Sequence, residues 1–482
     1  MNNAHMFPGG EAEPVSRSRR EMLRSSACGF GMLALSGLLQ ENAVAARSAT
    51  DPVAARSAHF RPRAKRVIFI FLDGGPSQVD LFQYKPELTR RHGEQPPQSI
   101  AHGNEFAVEG FDSTKLFRPI SKLRRVGESG IWMSELLPHL SQQVDQLTLL
   151  NGMVADNPAH VPAQQQLFTG SPFSVQPSLG SWISYGLGSE NRNFPSFVAI
   201  DHRPNRRQSA YLPAIHQGTV LEGEKEFTIR HLKNKRLNNQ QQARQMQLLK
   251  TLNRRHLNRA VADPGIEGLI ASYELAFRMQ TETGSLVDIS EETEETQRLY
   301  GIGEQPTDAV GRKMLVARRL SEAGVRFMQI RTGSWDHHVG IAKSLPVECA
   351  SHDKPIAGLL KDLSRRGLLD DTLVVCTGEF GRTPFDQDTS RGKDPPENYG
   401  RGHSPQGFSA WMAGGGVKGG LAHGDTDDLG YRAVEGKVHI HDLHATMLHL
   451  LGLDHEQLTY RYAGRDFRLT DVYGRIVDEI LS

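Results

Sequence analysis

The stretch Arg66-Val-Ile-Phe-Ile-Phe-Leu72, running directly into Asp73-Gly-Gly-Pro-Ser77, decides how this chain folds. Its apolar residues do not alternate with polar ones, so a strand built from them must be covered on both faces, as in a parallel sheet. Working outward, similar short runs recur at 147–150, 196–200, 325–330, 372–377 and 408–413. Helical patterns lie between them at 135–144, 311–323, 354–366 and 441–451. Strand and helix in alternation imply an α/β protein with a mostly parallel sheet sandwiched between helices.

The rest of the chain sets bounds. Its 482 residues carry 38% hydrophobic and 23% charged residues, enough for a sizeable core. Lys and Arg (56) nearly cancel Asp and Glu (55), leaving a net charge of +1, which argues against nucleic acid or an anionic membrane surface as the partner. Three cysteines make no disulfide framework, although Cys349 and Cys376 permit one bridge. Residues 1–45 read as an export signal. Arg19-Arg20 precede a Gly- and Ala-rich apolar stretch too short to span a bilayer, and Ala43-Val-Ala45 offers a small-x-small cleavage pattern. The paired arginines fit the twin-arginine type, so the expectation is a periplasmic or otherwise exported protein with no stable membrane span in its mature part. Residues 46–64 read as a linker, 65–482 as the main domain, and 225–300, rich in Gln, Arg, Lys, Glu and Leu, as a helical insertion and candidate cap.

Ten of the 20 histidines follow Asp336. Polar residues gather where apolar runs end. Residues 66–72 lead into Asp73, 325–330 into Ser334-Trp-Asp336-His337-His338, and 372–377 into Gly378-Glu379-Phe380-Gly381-Arg382. A fourth piece, Gly400-Arg401-Gly402-His403, precedes 408–413. Ligands of open parallel sheets sit outside the carboxyl ends of the strands. If the three strands are neighbours, Asp73, Asp336, His338, Glu379 and His403 converge. Crowded carboxylates need a compensating cation, and histidines mixed with them suit Zn, Mn or Fe better than Mg or Ca. The bland alternative for Asp73 is a turn or helix cap, and for a His-His pair a surface position. Ser77 and Asp80 read as caps of the following helix, and His439, His441 and His444 as packing and capping residues.

These motifs carry a resemblance. Phe71-Leu-Asp-Gly-Gly-Pro-Ser-Gln-Val-Asp-Leu-Phe82, Trp335-Asp-His-His338, Gly378-Glu-Phe-Gly-Arg-Thr-Pro384 and Val438-His-Ile-His-Asp-Leu-His444 are similar to domain-of-unknown-function family 1501, exported bacterial proteins related to the sulfatase and alkaline phosphatase superfamily. The resemblance implies a three-layer α/β/α sandwich and a divalent metal held by Asp73, Asp336, His338, Glu379 and His403. Phe380 stands where that superfamily often has a ligating His, and Gly402 where the family loop often has Asp. His160-Val-Pro162, ahead of Thr169-Gly170, aligns with the sulfatase nucleophile segment, with Gln164 replacing its arginine. His160 then reads as a metal ligand, as a nucleophile or base, or as a structural cap, and Arg382 as an anion clamp or a loop salt bridge. The functional expectation is an exported metal-dependent hydrolase of sulfate or phosphate esters, on a sulfated or phosphorylated small molecule or polysaccharide. The alternative is a non-catalytic binding or assembly protein that has lost its nucleophile. An oxidoreductase or electron-transfer accessory with a mononuclear Fe site is a third reading.

Overall fold

The computed structural model describes residues 54–98, 100, 114–200, 206–229, 237–257, 270–275, 277–279, 286–387 and 398–482, so the expected export signal lies outside the described residues. The strands that matter here are β1 Arg66–Leu72, β2 Leu147–Val154, β3 Phe197–Ile200, β4 Thr219–Glu222, β5 Thr228–Ile229, β6 Phe327–Thr332, β7 Thr372–Thr377, β8 Gly381–Gln387, β9 Gly400–Ser404, β10 Phe408–Ala413, β11 Leu421–His423 and β12 Val438–His439. Apart from β8 and β9, they form a 10-stranded sheet in the order β11-β2-β10-β7-β1-β6-β3-β4-β5, with β12 also on β2. Only β10 and β5 run against the rest.

Burial on both faces is what the opening stretch requires. Ile68, Ile70 and Leu72 join one apolar layer, while Val67, Phe69 and Phe71 join the other. The main helices are α1 His160–Thr169, α2 Leu179–Leu187, α3 Asn239–Leu257, α4 Asp308–Glu322, α5 Ile341–Arg365 and α6 Ile440–Leu450. Helices α4 and α5 cover the first face, and α1, α2 and α6 the second, giving three layers. Strand β1 pairs in parallel with β6 on one side and β7 on the other. The three strands whose ends carry the polar motifs are therefore central neighbours, and those motifs share one sheet edge.

Some boundaries differ from the sequence reading. Helix α5 begins well before residue 354 and contains Pro346 and Pro355, residues that normally mark a break. The expected helix at 135–144 is a 3₁₀ segment, Leu140–Gln146. Asp353 of α5 accepts the backbone N–H groups of His139 and Leu140, both at 2.7 Å, which fixes its start. Residues 56–64, read as linker, bond to the domain through Arg56 N to Leu187 O and Arg63 and Ala64 N to Leu450 O. Within 225–300 the described parts include β5, α3, helical residues 270–275 and 277–279, and a short helix Glu294–Leu299. Cys349 and Cys376 are free and buried. Among the described residues no helix is long and apolar enough to cross a membrane.

Candidate metal centre

The first piece of the site is the turn after β1. Gly74 and Gly75 have φ of +112° and +83°, and a Cβ on either would stand 2.5 Å from the Asp336 nitrogen or 2.7 Å from the Phe380 ring. Glycine here lets the turn lie flat against the loops that follow β6 and β7. The loop after β6 supplies Asp336 and His338. The ribbon β8–β9 supplies His403, which lies across from Arg382 in the antiparallel register. Helix α1 supplies His160 from its first turn.

These elements bring His160, Asp336, His338 and His403 together, with one donor atom from each lying within 4.8 Å of the others. The Nε2 atoms of His338, His403 and His160 approach the Asp336 carboxylate at 2.8, 3.1 and 3.1 Å. Each ring is anchored on its far side. His160 Nδ1 donates to Glu379 Oε1 (2.7 Å), His338 Nδ1 to Gln387 Oε1 (2.5 Å) and His403 Nδ1 to the Pro158 carbonyl (2.6 Å). All three partners are acceptors, so each Nδ1 carries a proton, and a ring that holds no second proton directs its Nε2 lone pair inward. Lone pairs aimed at a carboxylate repel it unless a cation sits among them. His160 Nε2 is buried, 3.1 Å from the Asp336 carboxylate, and lacks a hydrogen-bonded partner.

The electrostatics agree. Burial works against charge on His160, but the Asp336 and Glu379 carboxylates outweigh it and hold the imidazole up at about 9. His403 is pushed down to about 4 by burial, helped by Arg382 and the two neighbouring rings. Burial would raise the Asp336 carboxyl, yet the three histidines and Arg382 hold it well below the usual carboxylate range. One proton on one ring is a partial answer to this charge pattern. A divalent ion shared by all four groups is a complete one, and three imidazoles with a carboxylate are a donor set suited to Zn, Mn or Fe. Outward Nδ1–H bonds are also the usual support of metal-ligating histidines.

The other expected residues surround this cluster. Glu379 is fully buried and holds His160 from behind. Asp73 lies beside it, ion-paired to Arg331 and bonded by Gln164. Arg382 is fully buried. Its guanidinium donates to Asp336 Oδ1 (2.6 Å) and to the carbonyls of Gly74, Gly75 (2.8 Å), Trp335 (3.2 Å) and Arg401 (3.0 Å), an arrangement that positions Asp336 rather than a free anion. Phe380 packs against the His403 and His160 rings at centroid distances of 4.4 and 5.1 Å, so an apolar wedge fills the place beside them. His337 is buried near Trp335, outside the cluster, and pushed down to about 4 by burial.

The sequence matches the family DUF1501, described as a protein of unknown function, over residues 64–481. The chain belongs to DUF1501. No curated protein matches it. Solved structures similar to it include the PsFucS1 sulfatase from Pseudoalteromonas sp. (14% identity, 87% of this chain and 72% of that one, TM-score 0.37). Others are the lipoteichoic acid synthase LtaP from Listeria monocytogenes (10%, 88% and 79%, 0.36) and an alkaline phosphatase superfamily protein from Vibrio parahaemolyticus (10%, 83% and 70%, 0.31). At such TM-scores the chemistry of this DUF1501 chain rests on its own side chains.

Sequence reasoning missed Arg331 and Gln387. Arg331 leaves a trace in hindsight, a charged residue near the end of a strand whose neighbours are almost all buried. Gln387 leaves none. Two cap readings change. Ser77 makes no cap bond but donates to Asp80 Oδ2 (2.5 Å), and Asp80 forms a fully buried ion pair with Arg401 (2.8 Å). The late histidines pack and cap. His439 caps α6, while His441 and His444 donate to the Gly170 and Leu167 carbonyls of the α1 end at 2.7 and 2.8 Å.

Proposed function

We propose that this chain is an exported, metal-dependent hydrolase of sulfate or phosphate esters, holding a divalent ion (Zn, Mn or Fe) on His160, Asp336, His338 and His403. The observation that carries the reading is the inward convergence of three imidazoles on one carboxylate, each ring anchored from behind. When bound, such an ion supplies Lewis-acid polarisation of an ester oxygen and a lowered pKa for attacking water.

The protein's own groups do the rest. Arg382 holds Asp336 in place, and Glu379, Gln387 and the Pro158 carbonyl hold the protons of the three Nδ1 atoms. Phe380 excludes water from one side of the rings. The other side is open, since the Asp336 side chain is 37% exposed. Helix α1 starts there at Ala159 without a side-chain cap, so the positive end of its dipole faces an arriving anion. Both His160 nitrogens face carboxylates, which favours its reading as a ligand over that of a nucleophile. Cys349 and Cys376 are core residues, so neither offers a thiol at the site.

The test is metal analysis of the purified chain together with a panel of aryl phosphates, phosphonates and sulfates. Bound ion and chelator-sensitive turnover are expected, with Asp336→Asn weakening ion binding at least about 100-fold and abolishing turnover. Turnover that survives complete chelation would defeat the reading. A second reading draws on Phe380 and on the full engagement of Arg382: a binding or assembly protein that keeps the ion for structure. Stoichiometric ion without turnover on any ester would favour it. Export through the twin-arginine route belongs to the same proposal, and a fusion of residues 1–45 to a reporter that requires folded export tests it.

A further inference from the structure

We propose that this site takes a single divalent ion, and that Arg331 fills the charge position beside it, neutralising Asp73 and offering its free Nη1 to the anionic group of the substrate. This rests on the metal-dependent reading above and deepens it.

Asp73 and Glu379 are the carboxylates that strand-end position alone would make ligands. Their oxygens are already engaged by protein donors. Asp73 Oδ2 accepts from both Nε (2.7 Å) and Nη2 of Arg331, and Oδ1 accepts from Gln164 Nε2 at 2.5 Å. Glu379 Oε1 accepts from Gln164 Nε2 and His160 Nδ1, both at 2.7 Å, and Oε2 from the Gly74 amide at 3.1 Å. Gln164 is 3% exposed, and its one amide nitrogen uses both hydrogens to tie the two carboxylates together. An ion placed between Asp73 and Glu379 would have to displace a guanidinium that cannot give up its proton and a buried amide that bonds both carboxylates.

Charge counting gives the same answer. Asp73, Asp336 and Glu379 against Arg331 and Arg382 leave one negative charge. One divalent ion turns this into one positive charge, suited to an anionic ester, whereas two ions would leave a strongly positive pocket. Arg382 is sealed in, but the Arg331 side chain is 25% exposed at the open sheet edge. Both its side-chain bonds to Asp73 leave through Nε and Nη2, and among the described residues Nη1 has no partner. A planar guanidinium with one edge fixed on Asp73 is preorganised to meet a phosphoryl or sulfuryl oxygen with the other.

The experiment titrates the full chain with Zn²⁺ by calorimetry, counts bound zinc by mass spectrometry, and then measures binding of inorganic phosphate and sulfate to the zinc-loaded protein. One equivalent of zinc is expected in the wild type, in Asp73→Asn and in Arg331→Gln, with affinity weakened about 100- to 1,000-fold in Asp336→Asn. Phosphate or sulfate binding should weaken at least about tenfold in Arg331→Gln. Arg331→Lys should recover part of it, and its thermal melt checks the fold. Two equivalents in the wild type, one of them lost in Asp73→Asn, overturn the single-ion inference while leaving the hydrolase reading standing. Unchanged anion binding in Arg331→Gln, or no binding of either anion by the zinc-loaded wild type, overturns the role of Arg331. No bound zinc at all removes the metal-dependent reading itself.

Discussion

Replacing Asp336 by Asn separates the centre's chemistry from its architecture. The change keeps the shape of the side chain and removes one unit of charge at the point where three Nε2 atoms converge. Zinc sites with four protein ligands bind with about 10–16 kcal/mol, so one ligand of four contributes roughly 2.5–4 kcal/mol. That share corresponds to about a 100- to 1,000-fold loss of affinity. Stability of the metal-free chain should fall much less. Breaking a buried ion pair costs about 3–5 kcal/mol, but Asp336 is 37% exposed and Arg382 keeps its carbonyl acceptors, which brings the expected cost to about 1–2 kcal/mol. Zinc competition against a chromophoric chelator at pH 7.5, paired with urea unfolding in excess chelator, reads both quantities. An Asn variant that binds zinc within about threefold of the wild type would refute the claim that these four groups share one ion.

Gln387→Ala removes the acceptor behind His338 and should weaken zinc binding about 10- to 100-fold with little change in folding; unchanged affinity in the same competition assay would show that the anchor does nothing. Asp80→Asn leaves the fully buried Arg401 without its counter-charge and should cost about 3 kcal/mol in urea unfolding, at the low end of the usual range because Arg401 keeps two carbonyl acceptors; a cost below about 1 kcal/mol would contradict this. Acid should destabilise the fold early. Burial pushes His216 and His444 down to about 3 and His352 to about 4, below the ordinary 6.5, so the unfolded chain takes up protons that the folded chain refuses. Stability is then lost as pH falls from 6.5 toward those values, by about 1 kcal/mol per group per unit. Urea midpoints that stay flat from pH 7 to 5 would refute it.

What the sequence made legible, and what it hid, follows from where the information sits. Strands 66–72, 372–377 and 408–413 have the bounds the apolar runs suggest, because a strand buried on both faces is apolar along most of its length and therefore announces its own ends. The sheet edge followed from those ends, and with it Asp336, His338 and His403. The ribbon Gly381–Gln387 with Gly400–Ser404 was invisible, since it is short, polar and rich in glycine, and only its pairing makes it a strand pair. Helix Ile341–Arg365 was half hidden by two prolines that local rules treat as stops and tertiary packing overrides. The site failed to be legible for a different reason. Whether Asp73 holds an ion or a guanidinium depends on Arg331, which lies 258 residues away in the chain and opposite Phe71 in the sheet register. No spacing rule links the two. A strand-end carboxylate therefore predicts that a positive charge will be met there, and only the neighbouring strand decides whether that charge is a metal or an arginine.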